Sequence, residues 1–551
     1  MAVVTSKPAK KTAPAAPALP WWQQTYALAA MSAILLWAAL PPLDMGVLAW
    51  VAPVPWLLLV RREKLSGWRP YRALWLVGFG FWLAAIHWLR LPHWATHFGW
   101  LALAFYLAFY LPVFIGLSRI AVQQLKIPLI VAAPVVWTGL ELARAHLLSG
   151  FLMASLAHTQ SRWIELIQIS DLFGAYGVSF VIMLVAACLA QMWPQTGRRP
   201  ALWPLLPAGG VLLATLLYGH ARLADEPKAG EPVARVALIQ GSIDADWKAD
   251  PQKNQRIFAE YFGLSQQAVR ESGGQLDLIV WPETMYRNAL YHVARDAQPP
   301  AEMVELYREA NQSTESHLAS MTARLNTPLL LGIDIIELID TGSLGYNSAV
   351  AVTRSGEVVG HYSKIHRVMF GEYIPLAGLF PWLYEFTPLT GGLEAGRDVA
   401  AFEIGGIRYA PNICYESTVP HVIRRQVVEL DERGESPQVL VNLTNDAWFW
   451  GSSELDMHLA CAVFRAIETR RPFLIAANGG ISAQLDGSGR ILQQSPKRQT
   501  DVILADVVVD PRQSWYLAVG DWPAGICLAG CIVLAGVGLA TRRRSSGSQT
   551  Q

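Results

Sequence analysis

Apolar runs of membrane-spanning length recur along this chain, and no other feature narrows its possible folds as far. About 20 apolar residues are needed to cross the hydrocarbon core of a bilayer. Eight segments meet or approach that length, at residues 25–40, 45–60, 73–88, 100–117, 127–147, 172–193, 201–218 and 522–540. Several contain Gly or Pro, which membrane helices tolerate because neighbouring helices re-satisfy the freed backbone groups. Composition agrees: 52% of the 551 residues are apolar and 16% are charged, against about a quarter charged in soluble domains.

Basic residues set the predicted orientation, because short cytoplasmic loops are enriched in Lys and Arg. Lys7, Lys10 and Lys11 precede the first span; Arg61, Arg62, Lys64, Arg69 and Arg72 follow the second; Arg119 and Lys126 follow the fourth. Arg198 and Arg199 follow the sixth, and Arg542, Arg543 and Arg544 follow the eighth. All fall on one side, which places both termini in the cytoplasm and turns the long segment between spans seven and eight outward. The basic start could be read as a cleavable signal peptide, but a second span follows almost at once and no small-residue cleavage site stands out.

Between residues 232 and 512 the texture changes. Short β-branched runs at 236–240, 278–281, 329–333, 347–352 and 439–443 alternate with helical patterns at 255–270, 314–324 and 458–470, the signature of layered sheets flanked by helices. About 280 residues suffice for a separate core. The expected organisation is a cytoplasmic tail (1–22), a seven-helix transmembrane bundle (23–220), an outward-facing α/β domain (232–512), a last transmembrane helix (520–541) and a second cytoplasmic tail (542–551). No internal repeat appears.

With 44 Lys plus Arg against 43 Asp plus Glu, nothing global suggests a nucleic-acid partner. The cysteines are Cys188, Cys414, Cys461, Cys527 and Cys531; none forms a CxxC pair, so neither a disulfide framework nor a zinc site is indicated. No nucleotide motif is visible either, and no cofactor is expected. Cys188, Cys527 and Cys531 lie in apolar runs, and Cys461 reads as core without a role. Cys414 stands apart in a polar strand-end context.

Three stretches end an apolar run with a reactive side chain. In LIVWPE (278–283) the strand delivers Glu283 past Pro282 to a sheet edge, where burial can bring a carboxylate towards the range of a general base. Taken alone, a strand-end Glu is more often solvated. In YSKIHRVMFGEYIP (362–375) Lys364 offers a fixed cation for an oxyanion, and Glu372 can hold a second position; an isolated Lys is usually a surface residue. In YAPNICYEST (409–418) Cys414 lies at a strand-to-helix turn ahead of the helical pattern 419–430, where a helix N-terminus would favour the thiolate. A lone Cys is as readily structural. Together they supply a nucleophile, a base and an oxyanion partner.

In those stretches the sequence resembles the nitrilase superfamily of carbon-nitrogen hydrolases, with Glu283 in VWPET, Lys364 in YSKIHRVMFGEYIP and Cys414 in NICYES. NLTNDAWF (442–449) and ANGGISA (477–483) match as well. With spans on both sides, the resemblance narrows to the membrane-embedded branch of that superfamily, the apolipoprotein N-acyltransferases, and covers nearly the whole chain. It implies a nitrilase-like αββα sandwich on the periplasmic side of a bacterial inner membrane. It also implies ping-pong acyl transfer: Glu283 deprotonates Cys414, which attacks an ester of a phospholipid, phosphatidylethanolamine being the expected donor, while Lys364 steadies the oxyanion. The thioester then passes its acyl chain to the α-amino group of a diacylglyceryl-cysteine at the start of an apolipoprotein. Glu372, Tyr415 and Glu416 match supporting positions, Trp247 in DWK matches one linked to substrate handling, and a monomer is expected.

An amine outcompetes water for a thioester more easily where lipid excludes water. The apolar stretch 369–389 and the WFW at 448–450 are expected to dip into the membrane interface. Arg367, Met369 and Gly479 depart from the family pattern and bear on loop shape. The nearest alternative is a membrane-tethered amidase or nitrilase acting on a small C–N substrate, for which eight spans are excessive. A transporter or receptor would carry more ionisable residues within its spans than Glu141 and Arg144.

Overall fold

The computed structural model of the protein describes residues 20–194, 200–225, 227, 231–246, 250–387, 389 and 391–547. Among the described residues twelve strands run through the second half: β1 (Ala234–Gln240), β2 (Leu278–Val293), β3 (Leu329–Ile339), β4 (Gly342–Val352), β5 (Val358–Ser363), β6 (Phe402–Ile404), β7 (Ile407–Ile413), β8 (Val439–Asn445), β9 (Phe473–Asn478), β10 (Ala483–Leu485), β11 (Ile491–Gln494) and β12 (Asp501–Val507). They form two six-stranded sheets, ordered β12-β1-β2-β3-β4-β5 and β11-β10-β9-β8-β7-β6. The central strands β1, β2, β3 and β7, β8, β9 are parallel, and antiparallel strands flank them.

The near-continuous apolar runs of the parallel strands follow from cover on both faces. Val236, Leu238, Leu278 and Val280 of one sheet meet Tyr409, Val439, Val441 and Leu474 of the other. The alternate residues Ala237, Ile239, Ile279 and Leu331 pack outward on helices Pro251–Glu271 and Ala301–Leu325. On the second sheet Ala410, Leu440 and Ile475 pack on helices Pro420–Glu432 and Glu454–Thr469. This is the αββα layering expected.

Helix Glu454–Thr469 is buried on every side, because the sheet covers one face and the membrane helices the other. Two of its buried charged residues pair with each other: Arg465 Nη2 lies 2.8 Å from Glu468 Oε1, and Glu468 Oε1 also accepts from the Ala175 N–H at 2.9 Å. Just beyond the helix, Arg470 Nε donates to Asp171 Oδ2 at 3.0 Å.

Three helices are long and apolar enough to cross a membrane, 96–124, Ala175–Met192 and 522–542, among the described residues. The other apolar helices fall short of that criterion. Thr25–Ala39 has 15 residues, about 22 Å at 1.5 Å per residue, and the segment expected at 45–60 divides at Pro53 into Gly46–Trp50 and Val54–Arg61. Leu129–His146 carries Glu141 and Arg144. At Gly139 that helix approaches the last helix so closely that a Cβ would lie 2.7 Å from the Cys527 carbonyl oxygen, the use of small residues expected between membrane helices.

Candidate active site

Glu283 is not at a sheet edge. β2 continues to Val293, between β1 and β3, and the expected strand end is a bulge: pairing with β3 jumps from Trp281↔Leu331 to Tyr286↔Ile333. Pro282 has no N–H for the ladder, Thr284 takes φ 52°, and the loop turns Glu283 inward. Gly332 opposite makes this possible, since a Cβ there would lie 2.3 Å from Pro282 O and 2.6 Å from Glu283 Cα. The buried carboxylate is held at both ends: Oε1 accepts from Asn347 Nδ2 at 2.6 Å and Oε2 from the Asn445 N–H at 2.8 Å.

Lys364 follows β5, and its N–H donates to Asn347 O at 2.8 Å. Its side chain, 1% exposed, puts Nζ 2.8 Å from Glu372 Oε1 and 3.5 Å from Glu283 Oε1. Burial works against the charge, but the carboxylates of Glu372 and Glu283 outweigh it and hold the ammonium above the usual lysine range. Glu372 is fixed in turn by Asn347 Nδ2 at 3.2 Å and the Val368 N–H at 2.7 Å. Asn347 thus bridges the two carboxylates.

Cys414 ends β7 and opens a 3₁₀ turn, Cys414–Thr418, with φ 51°. The α-helix begins only at Pro420, so the expected depression of the thiol by a helix N-terminus does not govern. Burial, followed by the negative charges of Glu283 and Asp446, pushes the thiol well above its ordinary value, and Lys364 acts in the opposite direction. At neutral pH this is a thiol, and it becomes a nucleophile only if a neighbour takes its proton.

Glu416 braces two of these strand ends. Oε1 accepts from the Ile365 and His366 N–H groups (2.8 and 2.9 Å), Oε2 from the Ile413 N–H (2.7 Å), and Tyr362 Oη lies 2.9 Å from each oxygen. The segments carrying Lys364 and Cys414 are thereby locked together. Tyr415 turns towards the membrane helices, where its hydroxyl donates to Gly150 O at 2.8 Å and its ring stacks on His366. Trp247 lies outside the described residues.

Asn347, Asn442, Asp446 and His458 were not singled out from the sequence. Asn442 and Asp446 fall in the NLTNDAWF match, but nothing local tells which face of β8 meets the site. Phe370, Leu376, Leu379, Phe380, Trp382 and Phe386 form an exposed apolar surface within 369–389, and Trp450 is exposed as well. Phe370 lies against Gly99 of the helix Thr96–Leu107. Gly479, which departs from the family pattern, has φ +65° and would bring a Cβ to 2.8 Å from that of Ala447, so a side chain has no room there. Cys461 is buried, its sulfur 3.8 Å from His158 Nδ1.

Among the described residues two groups bring three potential metal-ligating side chains together, His146, His421, Asp521 and Asp446, Glu454, His458. In the first, the imidazoles of His146 and His421 stack at 4.2 Å and 20°, so their in-plane lone pairs do not converge. In the second, both His458 nitrogens are engaged with protein oxygens, Nδ1 at 3.3 Å from Asp446 Oδ1 and Nε2 at 3.2 Å from Cys414 O. Neither arrangement is that of a metal centre.

Residues 32–188 match the apolipoprotein N-acyltransferase N-terminal domain, and residues 235–516 match the carbon-nitrogen hydrolase domain. An apolipoprotein N-acyltransferase of Geobacter metallireducens is 35% identical over 95% of this chain and 96% of its own length. One from Rhodopirellula baltica is 33% identical over 92% and 96%. Among solved structures, an amidase from Nesterenkonia sp. aligns with 52% of this chain and 94% of its own at 16% identity and TM-score 0.35.

Proposed function

Because this chain belongs to the apolipoprotein N-acyltransferase family, we propose that it N-acylates apolipoproteins through a Glu283–Lys364–Cys414 centre. The family makes the chain a membrane acyltransferase with a lipid donor and a lipoprotein acceptor. The observation carrying the finer reading is the convergence of a buried ammonium, two oriented carboxylates and a strand-end cysteine from three separate segments.

In the proposed first half-reaction Glu283 takes the Cys414 proton and the thiolate attacks an ester carbonyl of a phospholipid, phosphatidylethanolamine being the favoured donor. The C–S bond forms, Lys364 faces the oxyanion, and the tetrahedral adduct collapses with cleavage of the ester C–O bond. The leaving oxygen receives the proton from Glu283 and departs as lysophospholipid. In the second half the α-amino group of the diacylglyceryl-cysteine attacks the thioester and gives its proton to Glu283. The C–S bond breaks, the amide forms, and Cys414 regains a proton. Glu372 and Glu416 keep the charged groups in place, Tyr415 anchors the nucleophile turn to the bundle, and Trp247 is assigned to substrate handling.

The proposal includes eight spans with both termini cytoplasmic, domains bounded as the sequence suggests, residues 232–512 on the periplasmic side of the bacterial inner membrane, and a monomer. The exposed aromatic surface at 369–389 supports contact with the bilayer, which would keep water from the thioester. The test is incubation of purified protein with labelled phosphatidylethanolamine and a diacylated lipopeptide, comparing wild type with Cys414→Ser and Cys414→Ala. Transfer through a hydroxylamine-sensitive adduct that both variants lack is expected; equal transfer by Cys414→Ala overturns the mechanism.

A further inference from the structure

We infer that His458 is a positioning residue for the proposed nucleophile: it clamps the carbonyl of Cys414 and so holds the left-handed turn that presents the thiol. The inference rests on Cys414 being that nucleophile.

A side chain at positive φ costs about 1–2 kcal/mol, and such a conformation persists only where its surroundings over-determine it. At Cys414 they do. Its carbonyl oxygen accepts from Asn442 Nδ2 at 3.1 Å and Ser417 Oγ at 3.2 Å, and His458 Nε2 lies 3.2 Å away. Ser417 belongs to the turn itself and Asn442 to the neighbouring strand β8. Of the three, only His458 ties the nucleophile to helix Glu454–Thr469, the element wedged between sheet and membrane helices.

The imidazole is itself fixed. Nδ1 lies 3.3 Å from Asp446 Oδ1, which also accepts from Thr444 Oγ1 at 2.6 Å, and Ser417 Oγ sits 2.7 Å from Nε2. A carboxylate faces one nitrogen, and the Ser417 hydroxyl and the Cys414 carbonyl face the other, surroundings that favour the doubly protonated ring. Burial opposes the charge, but Asp446 and then Glu454 favour it and bring the group up to about 9. Glu454, one turn earlier, is itself raised by burial and then by Asp446. The result is a buried carboxylate–imidazole pair with its imidazole end against the Cys414 peptide.

The test uses the full-length enzyme in detergent, with His458→Leu, His458→Gln and Cys414→Ala. Readouts are thermal midpoint, the rate of Cys414 alkylation by iodoacetamide, and kcat and KM for labelled phospholipid and lipopeptide. Misplacing a reacting group by about 1 Å costs roughly a hundredfold. His458→Leu should therefore lower alkylation and kcat by about that factor with KM unchanged, and His458→Gln, which keeps an N–H donor without the charge, should recover about a tenth of the wild-type rate. If the Leu variant does not fold, the Gln variant decides: a tenfold lower kcat at wild-type thermal midpoint supports the clamp. Wild-type kcat in His458→Gln, or a loss confined to KM, overturns it. An active Cys414→Ala would instead remove the underlying nucleophile assignment, whereas an inactive Cys414→Ala beside a fully active His458→Gln removes the clamp alone.

Discussion

Lys364→Met preserves most of the side-chain length and deletes the charge on which the site's electrostatics turn. In the wild type Nζ lies 2.8 Å from Glu372 Oε1 and 3.5 Å from Glu283 Oε1, and both oxygens share the Asn347 amide. Without the ammonium, the buried carboxylate of Glu283 and the half-buried one of Glu372 face each other across one amide. Removing one partner of a buried ion pair costs about 3–5 kcal/mol, and carboxylates this close cannot both remain ionised, so one takes up a proton. Both shifts are upward, so each contribution is lost as pH rises, but the two pH windows differ. The folded-state value of Lys364 lies above its ordinary 10.5, so its contribution is fully present below that pH and is lost only at higher pH. The variant acquires a carboxyl with a raised value, whose favourable contribution is present below the ordinary range of about 4.3 and is lost as pH rises. The stability gap should be widest at neutral pH and narrow towards pH 4. Chemical denaturation in detergent across that range measures the gap, and acyl transfer measured in parallel should fall by roughly 10²–10³, the usual cost of losing an oxyanion partner. A gap independent of pH, or transfer at the wild-type rate, refutes this reasoning.

Three further outcomes follow from the same geometry. Glu416→Gln replaces one of two acceptor oxygens with a donor while the Ile365, His366, Ile413 and Tyr362 donors remain; a loss of about 2–4 kcal/mol is expected in thermal or chemical unfolding. Gly332→Ala drives a methyl into the backbone at Pro282 and Glu283, so it should cost about 1–3 kcal/mol as overpacking does and lower kcat by more than the fraction unfolded explains. Because burial raises the Cys414 thiol and Lys364 opposes that rise, iodoacetamide alkylation should accelerate steadily from pH 7 to 9 and be slower still in Lys364→Met; a plateau below pH 7 would contradict this.

What the sequence made legible is what depends on near neighbours. The apolar runs of β1, β3 and β8 announce strands covered on both faces, and three reactive side chains at strand ends already suggested one centre. Glu283 was expected at a sheet edge because a proline closes its apolar run. That β2 resumes after the bulge is decided by pairing with β3, some fifty residues away. Only 314–324 of helix Ala301–Leu325 shows a helical pattern, because most of its first half is exposed and leaves no apolar stripe to read.

The error over Cys414 has the same origin. A helix terminus is visible in sequence, and its effect is typically below about 1 kcal/mol. Burial is not visible: Cys414 packs on the core between the two sheets, beside a helix that is apolar on one face for the sheet and buried on the other by the membrane helices. That second contact also explains why Glu454, His458, Arg465 and Glu468 were unreadable: four ionisable residues at helical spacing look like a solvated face until Ala175 and Asp446 are placed against Glu468 and His458. Their burial binds the two halves of the chain into one mechanical unit. Tyr415 reaches Gly150, Glu468 reaches Ala175 and Arg470 reaches Asp171, so the turn that holds the cysteine is braced from the membrane side as well as from the sheets.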